Sequence, residues 1–353
     1  MIIILTEINK LLWGITTVLL IVSGLYFTKK LKFIQFNIKG MIKSFKGSKT
    51  EKISPFNTLM LTLAARIGVG SLAGIALAIY IGGPGTIFWM WISTLIVAPN
   101  AYVESFLGVL YHEKKDGFNQ GGPSYYISKG LKKVHLARLY SVLILVCYIF
   151  GFLTIQTNTI SKSFNNLIGI APTVTGILVA IITGLVIFKG VKGIIDVSSK
   201  IMPFIGILYV VISCYILLLN INDLPKVLIL IVREAFNPKS LGVGFITPFI
   251  IGFQRGIFSN EAGIGSGAIA ASTVDNNDAK GQGMIQVTGI YFTSLVLCTL
   301  TAFIIMLSDY NDITFLNING IELTQYALNY HLGPFGDWLL IVTIFIFAFS
   351  TII

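Results

Sequence analysis

Two short stretches of this 353-residue chain place groups capable of chemistry where an apolar helix would ordinarily run. Phe258 to Gly267 reads FSNEAGIGSG, which sets three glycines, two serines, Asn260 and Glu261 inside an apolar span. Thr62 to Gly74 reads TLAARIGVGSLAG and carries Arg66 among its glycines. Glycine in a helix interior costs about 1 kcal/mol relative to alanine, and a charge at membrane depth costs about 3 kcal/mol on insertion scales. Such segments persist only where the broken helix gives something in return. Half-helix ends and unwound carbonyls can replace the hydration shell of an ion or a polar solute, and a pair of broken helices at separated positions is the sequence pattern of a transporter binding site.

The elements that must hold these stretches are membrane helices. Hydrophobic residues make up 55% of the chain and charged residues 11%, with a mean hydropathy of +0.84. So few charges cannot cover an ordinary soluble surface. Windows of about 20 apolar residues place spans near 11–28, 58–80, 84–111, 138–162, 171–188, 201–219, 243–271, 284–308 and 335–353. The chain is read as one transmembrane domain, 1–353, of an all-α membrane protein. Glu7 and Lys10 precede the first span and Trp13 and Gly14 lie inside it, which fits a retained helix better than a cleaved signal. Cys147, Cys214 and Cys298 all fall inside spans and read as packing residues. Trp89 and Trp91, after a GGPG turn, read as packing or interface residues. His112, His135 and His331 show no spacing that suggests a metal.

The formal charge of +10 raises nucleic acid as a partner, but its distribution argues for a bilayer instead. Segments 29–53, 112–139, 188–200 and 272–283 hold 18 of the 25 Lys and Arg residues, and such loops face the cytoplasm. The first is a polybasic run, Lys29, Lys30, Lys32, Lys39, Lys43, Lys46, Lys49 and Lys52, suited to anionic headgroups. The opposite loops are short or mildly acidic, with Asp309, Asp312 and Glu322 in the last. A multi-pass protein of the cell membrane with its amino terminus outside is expected. The two broken spans are separated by four continuous ones, so they enter from opposite faces. Spans two to six, 58–219, then form one five-helix repeat, and 243–353 begins an inverted one. Amphipathic connectors are expected at Gly121 to Leu131 and at Leu224 to Glu234.

Several segments together are specific. AARIGVGSLAGIALAIYIGGPGTIFWMW (Ala64 to Trp91), GGPSYYISKGL (Gly121 to Leu131), IQTNTI (Ile155 to Ile160), GFQRGIFSNEAGIGSG (Gly252 to Gly267) and FAFSTII (Phe347 to Ile353) resemble the alanine or glycine:cation symporters, also called sodium:alanine symporters, over nearly the whole chain. The resemblance implies a transporter of the amino acid–polyamine–cation superfamily, with a five-plus-five inverted-repeat core after one extra N-terminal helix. It implies sodium-coupled movement of alanine or glycine, with sodium as coupling ion and no cofactor. Two departures stand out. The family's Gly-Thr-Gly-Asn pattern at the first break reads Gly68, Val69, Gly70, Ser71 here, which removes polarity or reach from two side chains. The family also continues past Ile353 with a Gly-Trp pair and two more helices. The second repeat is therefore expected to be truncated, and the chain as given is expected not to carry out coupled transport.

With that resemblance, Gly68, Val69, Gly70, Ser71, Gln156, Asn260 and Gly263 are the candidate substrate-binding residues. The amides of Gly70 and Ser71, at the start of the outer half-helix, suit a carboxylate. Ala64, Ile67, Ser350 and Thr351 are the candidate sodium ligands: carbonyls at the first break, completed by a hydroxyl pair at the place where the wider superfamily carries one. Gln156 and Asn158 sit mid-membrane, where an amide serves either an interhelical hydrogen bond or, for Gln156, the substrate. Arg66, Glu104, Arg255 and Glu261 are buried charges, two of each sign, read as structural or gating ion pairs. No His-Glu metal motif, nucleophile elbow or phosphate loop is present, which argues against an enzyme. Transport leads, and an ion channel or a non-transporting fragment of a symporter is the alternative.

Overall fold

The apolar windows become helices in the computed structural model, which describes residues 2–46, 53–115, 117–237, 246–275, 278–309 and 318–353. Among the described residues, six helices are long and apolar enough to cross a membrane, and one bent pair passes the same test as a single span. In chain order these begin with α1, Ile2–Lys30, and a short α2, Ile38–Ser44. The bent pair is α3, Pro55–Arg66, and α4, Ala73–Gly82. Next come α5, Gly85–Leu110, a two-stranded antiparallel hairpin of Glu113–Lys115 and Phe118–Gln120, and the connector α6, Pro123–Lys129.

α7, Val134–Val146, runs through a π-helical stretch, Cys147–Phe152, into α8, Leu153–Ile168. α9, Pro172–Ile187, is a shorter apolar helix, followed by α10, Gly190–Leu219, and the connector α11, Leu224–Ala235. The window expected at 243–271 divides into α12, Ile246–Asn260, and α13, Ser266–Ser272. α14, Ala279–Ile290, passes through a second π-helical stretch, Tyr291–Leu297, into α15, Cys298–Leu307. α16, Ile321–Leu332, and α17, Pro334–Ile352, complete the described chain. Lys49, Lys52 and Asp312 of the charge argument lie outside the described residues.

The faces divide as a bilayer requires. Leu11, Leu12, Val18, Leu19 and Val22 of α1 and Val142, Leu143 and Phe150 along the α7 span are exposed. Apolar exposure on this scale is stable only against lipid. Inside, α5 is the central post, packed by α1, α12, α13 and α14. Its contact with α12 is set by glycine. A Cβ on Gly252 would stand 2.4 Å from Thr86 O, and one on Gly256 would overlap Ser93 Oγ. Without a hydrophobic drive between helices in lipid, close backbone approach of this kind is what holds them together.

Gly252→Leu is therefore expected to lower the thermal stability of the purified protein in detergent markedly, because the backbone of α5 cannot move aside. A melting temperature equal to that of the parent would show that this contact contributes little.

Candidate functional site

The first broken helix departs from α-geometry at the residues where glycine and charge interrupt the pattern. α3 ends at Arg66, Ile67 leaves the helical region, and Gly68 is extended (φ −113°, ψ −154°). Val69–Ser71 form a single 3-10 turn before α4 resumes, and the two halves meet at 69°. The last turn of α17 comes to rest against this point. Ser350 Oγ reaches Ala64 O at 3.2 Å and Thr351 Oγ1 reaches it at 3.0 Å, while both also donate back to Phe347 O. Each hydroxyl has one hydrogen and two candidate acceptors. Its lone pairs stay available, so three uncharged oxygens gather beside the break. Neither hydroxyl bonds to Ile67 O among the described residues.

The rest of the break is tied internally. Gln156 Oε1 accepts the Val69 N–H at 3.0 Å. Ser71 Oγ donates to Gly68 O at 2.9 Å, and the Ser71 N–H donates to the same carbonyl at 3.3 Å. The Ser71 amide, expected to be free for a carboxylate, is thus used within the turn, because a 3-10 turn satisfies its own third amide. Gly68 itself is boxed in: a Cβ there would stand 2.6 Å from Gln156 Nε2 and 2.7 Å from Thr351 Oγ1.

Two cavities flank the break. On the Val69 side, a cavity of about 530 Å³ is lined by Val69, Gly70 and Gly74, by Asn158 of α8 and by Arg255 and Phe258 of α12. On the Ala64 side, one of about 390 Å³ is lined by Ala64, Phe152, Glu261, Ser266, Ser350 and Thr351, among others. The rings of Phe152 and Phe258 stack at a centroid distance of 6.1 Å with planes 10° apart. One ring of this pair borders each cavity, so the stack stands between them.

The second break is a buried electrostatic knot. Glu261 takes a left-handed conformation (φ 52°), as do Gly263 (φ 88°) and Gly265 (φ 101°). The Gly263 N–H donates to Glu104 Oε2 at 3.0 Å, and Ser266 Oγ donates to Glu261 Oε2 at 2.5 Å. Amides freed by the break are therefore occupied by the protein's own carboxylate. Asn260, fully buried, accepts the Ala262 N–H on its Oδ1. Neither Asn260 nor Gly263 lines the two cavities; both are engaged in shaping the turn.

The expected direct pairing of buried charges is not made among the described residues. Arg66 reaches Gln286 O at 3.3 Å instead, and Glu104 and Glu261 act on its guanidinium at longer range. The physical reason is that each of these three charges has a nearer polar group than its opposite charge: Gln286 O of α14 for Arg66, the Gly263 amide of the second break for Glu104 and the Ser266 hydroxyl for Glu261. Ion pairs at the surface join Lys10 to Glu7, Lys129 to Glu113, Lys226 to Asp223 and Arg233 to Glu234. Sequence reasoning did not single out Phe152 and Phe258 or the cavities they divide. Phe258 opens the second interrupted segment, whereas Phe152 lies in a continuous apolar span and carries no such signal.

Comparison with known proteins points to one family. Residues 1–353 match the model of the Sodium:alanine symporter family. The "Probable sodium/glutamine symporter GlnT" of Bacillus subtilis is 38% identical over 352 residues, which cover 98% of this chain and 73% of that protein. The "Amino-acid carrier protein AlsT" of the same organism is 37% identical, over 98% of this chain and 74% of that protein. The "Sodium/alanine symporter AgcS" of Methanococcus maripaludis is 32% identical, over 98% of this chain and 79% of that protein. These matches run through nearly all of this chain, which spans about three quarters of the length of each of these relatives.

Proposed function

The chain belongs to the sodium:alanine symporter family, and from that premise we propose that it couples inward sodium flow to uptake of a small neutral amino acid, alanine or glycine. It acts in this reading by alternating access within the cell membrane, amino terminus outside, with no covalent chemistry. The observation that carries the proposal is the junction at the first break. Three oxygens of Ala64, Ser350 and Thr351 meet there, with a cavity on either side. Sodium is a hard cation that prefers oxygen ligands, and carbonyl and hydroxyl oxygens hold it without a fixed negative charge, so release on the far side stays cheap. The amino acid occupies the cavity on the Val69 side, where Val69 and Gly70 border the space. Gln156 supports that border by holding the Val69 amide, and Gly68 leaves room for both Gln156 and Thr351.

Reconstitution in sealed vesicles tests this reading. Labelled alanine or glycine is expected to accumulate only when sodium is imposed outside. Glutamine belongs in the same assay because a relative's name carries it. Ion flux without solute accumulation would favour a channel. Replacing both hydroxyls, Ser350→Ala with Thr351→Ala, is expected to raise the sodium concentration needed for half-maximal uptake by roughly tenfold or more, since two ligands each contribute about 1 kcal/mol or more. An unchanged sodium dependence would remove these residues from the ion site.

A further inference from the structure

Arg255 is the buried-side cation that the reading above leaves without work. It lies on α12, five residues before the second break, and lines the cavity on the Val69 side. Its guanidinium carbon is 6.0 Å from the centroid of the Phe258 ring. One terminal nitrogen is 3.7 Å from where a Cβ on Gly74 would stand, so the group lies across the first turn of α4. It makes no ion pair and no hydrogen bond with any described residue. Lys162 and Glu322 also line this cavity, but both are exposed, whereas Arg255 is only partly so.

A half-buried guanidinium loses hydration and, here, receives no protein acceptor in exchange. A cation–π contact with the Phe258 face leaves its N–H groups free, and a guanidinium edge matches a carboxylate in a two-pronged contact. The first break cannot provide the same service in full, because the Ser71 amide is already consumed by Gly68 O. We propose that Arg255 binds the α-carboxylate of the transported amino acid in the cavity on the Val69 side. Phe258 is then a positioning residue that holds the cation at its ring face, and the small residues Gly70 and Gly74 leave the approach open. This inference rests on the amino-acid transport reading and names the part of the solute that the cavity recognises.

A charge-rescue experiment tests it. Cys147, Cys214 and Cys298 are replaced by alanine to give a cysteine-free parent, and Arg255→Cys is introduced into it. The variant is expected to raise the KM for alanine by roughly tenfold or more, the size of a lost charge-assisted contact, with the sodium dependence at saturating alanine unchanged. Modification with aminoethyl methanethiosulfonate, which restores a cation, is expected to recover most of the loss. Modification with methyl methanethiosulfonate, which is neutral, is not. Arg255→Lys provides a second variant that keeps the charge but not the fork, with an intermediate KM.

A KM unchanged in Arg255→Cys, or equal rescue by the neutral reagent, overturns the role of Arg255 while leaving the transport reading intact. If Arg255→Cys cannot be purified folded, a KM in Arg255→Lys equal to that of the parent overturns it likewise. Absence of sodium-driven uptake by the cysteine-containing parent overturns the transport reading and this inference together.

Discussion

Gly68→Leu is expected to abolish sodium-driven amino-acid uptake while leaving membrane insertion and yield near those of the parent. The added Cβ alone would stand 2.6 Å from Gln156 Nε2 and 2.7 Å from Thr351 Oγ1, both ends of side chains that can swing away. The fold therefore has an escape, and its function does not. Displacing Gln156 releases the Val69 amide, and displacing Thr351 withdraws one hydroxyl from Ala64 O. The rest of the leucine side chain would then crowd the junction between Ala64, which borders one cavity, and Val69, which borders the other. Gly68 is extended rather than left-handed, so the substitution adds no backbone strain of the kind that glycine relieves. Uptake at the parental rate in Gly68→Leu would overturn the assignment of the first break. Gly263 is different. Its positive φ and the Leu20 Cδ2 atom 2.5 Å from its Cβ position mean that Gly263→Leu is expected to lose stability as well as transport.

A second large effect is expected at Arg66. Its side chain is 3% exposed, and Glu104 and Glu261 are 7% and 4% exposed. Removing the guanidinium leaves two carboxylates in the helix bundle with no cation near them. Breaking a buried charge arrangement by deleting one partner costs about 3–5 kcal/mol, and surrounding lipid offers no relief. Arg66→Met, similar in length, is expected to fail to purify as a monodisperse protein or to melt far below the parent. Arg66→Lys keeps the charge but cannot spread it over a planar fork, so partial recovery is expected. Coupling can be separated from repulsion with the double variant Arg66→Met, Glu104→Gln, which should recover part of the lost stability. A double variant no more stable than Arg66→Met would show that the two residues are not coupled.

The membrane class, the helical windows and the location of both interruptions were legible in the sequence, and for one reason. Each is a matter of local cost: a charge or a glycine inside an apolar run is unfavourable wherever the run ends up. Thr62 to Gly74 and Phe258 to Gly267 declared themselves on that ground, and both are breaks in the structure. The hydroxyl pair of α17 was reachable only through family resemblance, since Ser350 and Thr351 by themselves do no more than bond back to Phe347 O. The two π-helical stretches, 147–152 and 291–297, gave no sign, because α and π turns present the same apolar residues.

What only the tertiary structure decided is which group answers which. Ala64 meets Thr351 across 287 positions, Arg66 meets Gln286 O across 220, and Gly263 meets Glu104 across 159. Nothing in the spacing of Arg66, Glu104, Arg255 and Glu261 distinguished paired charges from charges satisfied by backbone, because either arrangement compensates burial equally well in a one-dimensional account. The choice was made by helix crossing. α5 brings Glu104 to the amides of the second break, α12 turns Arg255 and Phe258 toward one cavity, and the first break borders one cavity at Val69 and the other at Ala64. Local sequence fixes where the backbone must open, and the packing of distant helices fixes what it opens onto.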